Sequence, residues 1–418
     1  MGVRPGYVCP PGYKQTEVGV IPEDWEVSKL GTHATFRTGP FGSALHQSDY
    51  VDGGVPVINP MQIIDGKIQP MPSMAITEQA ARKLSEFRLL AGNIVIGRRG
   101  EMGRCAFVRT EEHGWLCGTG SMIIRTGPAL DARFIRRVLS SPPIIAEIEN
   151  TSVGSTMINL NQGTLRNLLV ALPPTKAEQE AIAEALSDAD AFIESLEQLL
   201  AKKYQLKQGA MQELLTGKKR LPGFGGEWEV KRLGDVIEKF VGGGTPSRAN
   251  PKYWGNEIPW VTVKDFATFN PGQSQESITR AGLQNSASHL IPKGTLITST
   301  RMALGKAVVY EVDVAINQDL KALSPKSDLA MQYLYFWFQY HGQSIDELGS
   351  GSTVKGISLP DLKKIEFQLP LRHEQTAIAA ILSDMDAEVS ALEAKLAKAR
   401  DLKHGMMQEL LTGRIRLV

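Results

Sequence analysis

Three short motifs in this sequence carry the residue types of a catalytic or nucleotide site, and each lacks what the chemistry needs. Gly242-Gly243-Gly244-Thr245-Pro246-Ser247 has the glycines of a phosphate-cradling loop but neither the lysine nor the spacing of G-x-x-x-x-G-K-[ST]. Ser141-Pro142-Pro143-Ile144 has the proline pair of a loop that holds a flipped base, with isoleucine where an aromatic ring would stack. It reads as a turn before a helix. Glu393-Ala394-Lys395 spells the E-x-K of many nucleases but falls in a helical segment without a metal-binding partner. No histidine pair or acidic cluster suggests hydrolysis. The three cysteines, Cys9, Cys105 and Cys117, have no metal-ligand spacing and cannot form a disulfide framework, so they read as reduced thiols. Recognition chemistry remains. Arg37, Asn59, Gln62, Arg98, Arg99 and Arg104 in the first half, and Arg248, Asn250, Tyr253, Lys264, Arg301, Lys306, Asn317 and Gln318 in the second, fall in turn-rich stretches. Arginine, asparagine and glutamine read base edges, and lysine and arginine neutralise phosphates. Trp254 reads as packed at a domain edge.

The elements that position these residues occur twice. MQELLTG at residues 211–217 returns unchanged at 407–413, an offset of 407 − 211 = 196, and the 33 residues ahead of each copy align without gaps. Upstream, Trp25-Glu26-Val27 with Leu30-Gly31 answers Trp228-Glu229-Val230 with Leu233-Gly234, at an offset of 228 − 25 = 203. Pro56 answers Pro259, Gly103-Arg104 answers Gly305-Lys306, and Gly154-Ser155-Thr156 answers Gly351-Ser352-Thr353. The chain reads as globule, helix, globule, helix.

In the first helical segment Ile182, Leu186, Ala189, Ile193, Leu196, Leu200 and Lys203 follow steps of four and three; in the second, Ile378, Leu382, Met385, Val389, Leu392, Leu396 and Ala399 do the same. This spacing turns one narrow stripe of a helix toward a partner helix and predicts a coiled coil. Antiparallel pairing within the chain would set the globules at opposite ends of a spacer about 60 Å long; a parallel coiled coil would instead dimerise the chain. A capping box is expected at Thr175 to Glu178, whereas the second copy has Leu371 in place of the threonine. Ser187-Asp188 and Ser383-Asp384 are expected kink points.

With 418 residues, 42% of them hydrophobic, each globule can bury its own core. Apolar runs at 55–58, 93–96, 122–124, 258–263, 295–298 and 307–310, broken by Gly, Pro, Asn and Asp, predict strands of mixed α/β domains; 131–148 and 329–348 read as helices. No stretch approaches the roughly 20 apolar residues of a membrane span, and the opening lacks the apolar run of a signal peptide. A soluble, cytoplasmic protein without a membrane partner is the expectation. The net charge of +1 leaves a polyanion partner open, because placement of charge matters more than its sum.

The openings YKQTEVGVIPEDWEVSKLG and GEWEVKRLGDV, the stretch GGGTPSRANPKYWGNEIPWVTVKDF, the lead-ins LPPTKAEQEAIAEAL and LPLRHEQTAIAAIL, and the two MQELLTG endings resemble, in this order and twice over, the specificity (S) subunits of type I restriction-modification systems. The resemblance covers nearly the whole chain. It implies an α+β fold in which two target recognition domains, 1–171 and 221–368, alternate with helical regions 172–220 and 369–418 in a pseudo-two-fold internal repeat. It implies a non-catalytic, sequence-specific DNA-binding subunit that reads a bipartite site in double-stranded DNA, with the coiled coil setting the spacer. Two methyltransferase (M) subunits would dock on the helical regions and hold S-adenosylmethionine, with no cofactor or metal bound by this chain, and a translocase-nuclease (R) subunit would complete the restriction complex. The competing readings are a stand-alone DNA methyltransferase or nuclease, and a protein-binding scaffold.

Overall fold

The computed structural model describes residues 9–41, 44–151, 159–351 and 354–417. Gly154-Ser155-Thr156 and Ser352-Thr353, paired across the repeat, lie outside the described residues. The chain divides into two compact units, Met1–Leu196 with Lys395–Val418, and Glu197–Ala394. Each long helix therefore contributes one half to each unit.

In the first unit β1 (Ala34–Thr38), β2 (Val55–Ile58), β3 (Ile94–Gly97), β4 (Cys105–Phe107), β5 (Leu116–Cys117) and β6 (Ser121–Thr126) carry the sheet framework. One sheet runs β4-β3-β6-β1 and is antiparallel throughout; the other joins β5 to β2 in parallel and β2 to Ala75–Ile76 in antiparallel. In the second unit β7 (Ile237–Gly242), β8 (Trp254–Val261), β9 (Leu296–Ser299), β10 (Ala307–Val309), β11 (Val314–Ile316) and β12 (Leu320–Pro325) repeat this plan, with one sheet ordered β10-β9-β12-β7 and β8 parallel to β11. The second sheets differ at their fourth strand. Tyr50–Val51 extends the first unit's sheet on Ala75–Ile76, whereas Leu290–Ile291 extends the second unit's on β11. Runs of β-branched residues explain the central strands: Ile94, Val95, Ile96 and Ile123 are wholly buried, as strands covered on both faces require.

The helical stretch expected at 131–148 is two helices, α1 (Ala132–Leu139) and α2 (Pro142–Asn150). Pro142 and Pro143 lack the amides needed to continue α1 but fit the first turn of α2, where amides have no helical partner. The later stretch is one helix, α4 (Met331–Glu347), behind the long α3 (Lys176–Leu215) and ahead of the long α5 (Arg372–Leu410).

Neither long helix is interrupted at its Ser-Asp pair; the Ser187 hydroxyl donates to the Ala183 carbonyl at 2.7 Å, which satisfies it inside the helix. Ile182, Leu186, Leu196, Ile378, Leu382, Val389 and Leu396 are buried, and Ile193, Leu200 and Leu392 are half-buried. In the first unit Asp190 pairs with Lys403 at 2.5 Å and Lys395 lies 5.4 Å over the Phe192 ring. In the second, Lys203 pairs with Glu388 at 2.5 Å and Lys207 pairs with Asp386. Rising numbers on α3 meet falling numbers on α5 in both units, so the helices form an intramolecular antiparallel coiled coil. The α+β fold with its internal pseudo-repeat follows from these two units.

Gln179 and Gln375 tie each helix start to its globule. Gln179 Oε1 accepts the Asp131 amide at 2.9 Å, and Gln375 Oε1 accepts the Ala330 amide at 2.7 Å while its Nε2 donates to the Asp328 and Pro370 carbonyls. The capping box at Thr175 is half made. The Thr175 hydroxyl accepts the Glu178 amide at 3.2 Å, but the Glu178 carboxylate is drawn away by Arg416.

Candidate nucleic-acid interface

The strand registers bring several chain turns to one edge of each domain. Thr38 at the end of β1 faces Met122 at the start of β6, Gly97 at the end of β3 faces Ser121, and Ile96 faces Cys105 at the start of β4. Cys117 pairs with Ile58, so β2 and β5 end at the same edge. In the second unit Gly242 faces Lys321, Ser299 faces Leu320, Thr298 faces Ala307, and Val261 pairs with Ile316. Gly39 and Gly243 allow this convergence, since a Cβ at either would lie 1.9 Å from the Gly118 carbonyl oxygen or 1.8 Å from that of Ile316.

All six first-half candidates lie at this edge. They divide by what they touch. Asn59 and Gln62 brace the turn after β2: the Asn59 amide donates to Gln62 Oε1 at 2.9 Å, and the Gly120 amide donates to Asn59 Oδ1 at 3.2 Å. Gln62 is only 1% exposed. Arg98 is also buried, with its Nε donating to the Leu160 carbonyl at 3.0 Å; burial and the neighbouring Arg99 charge hold its guanidinium below the ordinary range. Arg99 is exposed. Arg104 pairs with Glu101 at 2.6 Å, and Arg37 pairs with Glu86 while lying 5.2 Å over the Phe87 ring.

In the second domain Lys264, Arg301, Lys306 and Gln318 are exposed at the corresponding edge. Lys264 follows β8 in a turn where the Thr262 amide donates to Asp265 Oδ2 at 2.7 Å, the counterpart of the Asn59–Gln62 brace. Arg301 approaches Asp319 no closer than 3.9 Å. The Thr245 hydroxyl donates to Gln318 Oε1 at 2.8 Å. Asn317 is buried and turned inward, its Oδ1 accepting the Asp319 amide at 3.1 Å. Arg248 is stacked 3.7 Å over the Trp254 ring, and its Nη2 donates to Glu276 Oε2 at 2.8 Å. This hydrogen bonding raises the Arg248 pKa and lowers that of Glu276. A guanidinium fixed between a ring and a carboxylate is preorganised and loses little freedom on contacting a ligand. Asn250 and Tyr253 lie in the turn that follows Arg248: Asn250 Oδ1 accepts the Lys252 amide, and the Tyr253 carbonyl accepts the Thr279 amide.

Sequence reasoning passed over the carboxylates Glu86, Glu101 and Glu276 that neutralise three of these arginines. Only Glu101 was within reach of a local signal, its spacing of three from Arg104; the others come from distant segments. Cys105 and Cys117 are buried, and burial pushes the Cys105 thiol up to about 11, the condition of an unreactive thiol. Among the described residues no group of His, Cys, Asp and Glu could hold a metal ion, and no helix is long and apolar enough to cross a membrane.

Residues 22–202 and 225–399 each match the family model described as the type I restriction modification DNA specificity domain. A specificity subunit of Methanocaldococcus jannaschii, named for type I restriction enzyme MjaX, is 25% identical over 425 residues, with 97% of each chain covered. The Escherichia coli EcoR124I/EcoR124II specificity subunit is 29% identical over 185 residues, 43% of this chain and 46% of that one. The solved structure of a type I restriction-modification S subunit from M. genitalium has the same fold, with a TM-score of 0.60 at 17% identity across 92% of this chain and 96% of that one. Two matches to one DNA specificity domain, on two domains of one sheet plan that present different side chains at the same edge, make the chain a member of the type I restriction-modification DNA specificity family: a sequence-specific DNA-binding S subunit with two recognition domains, rather than a methyltransferase or nuclease.

Proposed function

We propose that the chain reads a bipartite DNA site, one half-site with residues 1–171 and the other with 221–368, and that the edge where β1, β2, β3 and β5 end, with its counterpart in the second domain, is the reading face. The helical regions 172–220 and 369–418 set the number of unread base pairs and receive two methyltransferase subunits. The observation that carries this reading is the repetition of one sheet plan with divergent loops at one edge. A shared framework with different side chains at its edge suits two different targets.

On the reading face Arg99, Lys264, Arg301 and Lys306 supply phosphate and base contacts, Arg37, Arg104 and Arg248 supply arginines held by carboxylates, and Asn59, Gln62, Arg98 and Asn317 keep the loops in shape. S-adenosylmethionine belongs to the methyltransferase partners, where it supplies the methyl group; a translocase-nuclease subunit adds cleavage, and the whole complex works in the cytoplasm. Double-stranded DNA is the ligand of this chain.

A single-molecule map of N6-methyladenine in host DNA, with and without the chain, tests the proposal. The expected result is a split motif methylated in both half-sites that vanishes with the chain. Exchange of 221–368 for another recognition domain should alter one half-site, and insertion of residues into both helices should lengthen the unread spacer. A domain exchange that altered both half-sites would rule out modular reading.

A further inference from the structure

The turn joining β9 to β10 contains the one strained apolar residue among the described residues. Met302 has φ +62°, the left-handed region that a side chain other than Gly, Asn or Asp seldom occupies. The corresponding turn in the first domain is anchored the same way: the Leu160 amide donates to the Arg98 carbonyl at 2.9 Å, and the Ile357 amide donates to the Thr300 carbonyl at 3.0 Å. Counting from those anchors, Gly100 (φ +81°) stands where Met302 stands, and Gly103 (φ +79°) where Gly305 (φ +72°) stands. The first domain fills both left-handed positions with glycine. The second keeps methionine at one of them.

That methionine belongs to neither apolar core beside it. It is 46% exposed, whereas Leu304, two residues on, is 3% exposed. The Met302 amide donates to the Lys355 carbonyl at 2.8 Å, which pins the turn to the neighbouring segment, where Val354 is also exposed. Exposed Arg301 precedes it, and exposed Lys306 closes the same turn. A backbone strain retained at an exposed side chain outside the hydrophobic cores marks a functional position, and the apolar surface here, Met302 with Val354 on the pinned segment, lies beside the cations Arg301 and Lys306, which suits a polyanion.

We infer that Met302 is an apolar wedge that enters the second half-site and parts a base step, while Arg301 and Lys306 take the flanking phosphates. Methionine is among the side chains that enter a duplex in this way, partly unstacking and kinking it. The first half-site, facing Gly100, is read without a wedge. This inference rests on the reading face proposed above.

The test uses the chain assembled with its methyltransferase subunits and duplexes of the mapped site, with 2-aminopurine placed in turn at each position of the second half-site. Wild type should raise fluorescence at one step. Met302→Gly and Met302→Ala should abolish the rise and weaken binding about tenfold, the scale of one lost base-pair contact; only Met302→Gly, which also relieves the strained backbone, should raise the thermal midpoint of the chain. No rise with wild type, or unchanged fluorescence and affinity in Met302→Gly, overturns the wedge. A Met302→Gly variant that no longer assembles with its partner subunits also overturns it, by making the residue a subunit contact. Arg301→Ala separates the two levels: weaker binding with Met302→Gly unaffected removes the wedge alone, whereas no effect of either removes the reading face with it.

Discussion

Arg416 reaches back 238 residues to Glu178, with Nη2 donating to Glu178 Oε2 at 2.9 Å, so that the residue three beyond the second MQELLTG closes on the first turn of α3. Arg220, three beyond the first copy, does the same to Glu374 at the start of α5, with its Nη2 donating to Glu374 Oε2 at 2.7 Å. The repeat offset of 196 relates both partners of the pair. The surroundings differ. Glu374 also accepts the Trp228 indole N–H at 3.1 Å, whereas Arg416 adds Asp24, and the Trp25 indole N–H is buried without a partner among the described residues.

Both glutamates are almost wholly buried, at 2% and 1% exposure. Truncating either arginine leaves a buried carboxylate without its countercharge, and Arg416→Ala and Arg220→Ala should each lower the midpoint of urea unfolding. Glu178→Gln should cost less, because it removes the charge together with its need for a partner. Equal losses for the two kinds of variant would show that the charge pair is not what holds the helix start.

Gln375→Leu strands the Ala330 amide and the Asp328 and Pro370 carbonyls in a buried site, and should cost about 3 kcal/mol. Gln179→Leu strands only the Asp131 amide and the Ala129 carbonyl and should cost less. Hydrogen exchange of the Ala330 amide gives a local readout: its protection should fall in Gln375→Leu and stay unchanged in Gln179→Leu.

Asp190 binds Arg137 and Lys403, both at 2.5 Å. Burial pushes its pKa up, but the hydrogen bonds and charges of Lys403 and Arg137 outweigh burial and set it below the ordinary 3.8. A carboxyl with a depressed folded pKa contributes stability that is complete above its unfolded pKa and lost as pH falls through the folded value. The stability gap between wild type and Asp190→Asn should therefore be constant from neutral pH down to about 5 and shrink below about 4. Paired unfolding curves across that range check the sign; a gap that widened in acid would contradict it.

Gly39→Ala and Gly243→Ala each drive a Cβ into a backbone carbonyl, with no flexible side chain to yield. Each should cost at least about 2 kcal/mol. In the assembled complex each should impair the reading of its own half-site only, which a methylation assay on substrates mutated in one half-site at a time will detect.

Lys264→Ala and Lys306→Ala remove exposed cations from the second reading face. Each should lower the slope of log affinity against log salt by about one unit and weaken binding evenly across DNA sequences. Affinity titrations at several salt concentrations, on the mapped site and on unrelated DNA, measure both. A loss confined to the mapped site would reassign the lysine to base reading.

The heptad seams were legible because helical periodicity is a local property: Ile182, Leu186, Ile378 and Leu382 are buried where their spacing puts them. The turn before a helix at Ser141-Pro142 was equally local, and Ser141 is the N-cap of α2; only the reading of 131–148 as one helical stretch ran across it, because apolar spacing continues past the proline pair. Candidate reading residues were legible as types rather than as roles. Arg98 and Arg99 are neighbours in sequence, yet one is buried against the Leu160 carbonyl and the other is exposed.

The sequence by itself determined the duplication, the two domains with their alternating long helices, and the lack of a catalytic motif. Each of these rests on identity, period or spacing along the chain. Tertiary structure alone decided which arginines are held by Glu86 and Glu276, that Gln62 and Asn317 face inward, that Arg416 takes Glu178 from its capping box, and that Met302 stands strained and exposed. Those outcomes depend on strand register and on contacts between segments tens to hundreds of residues apart. No local pattern encodes such contacts, because they arise only when the sheets close and bring their loops to one edge.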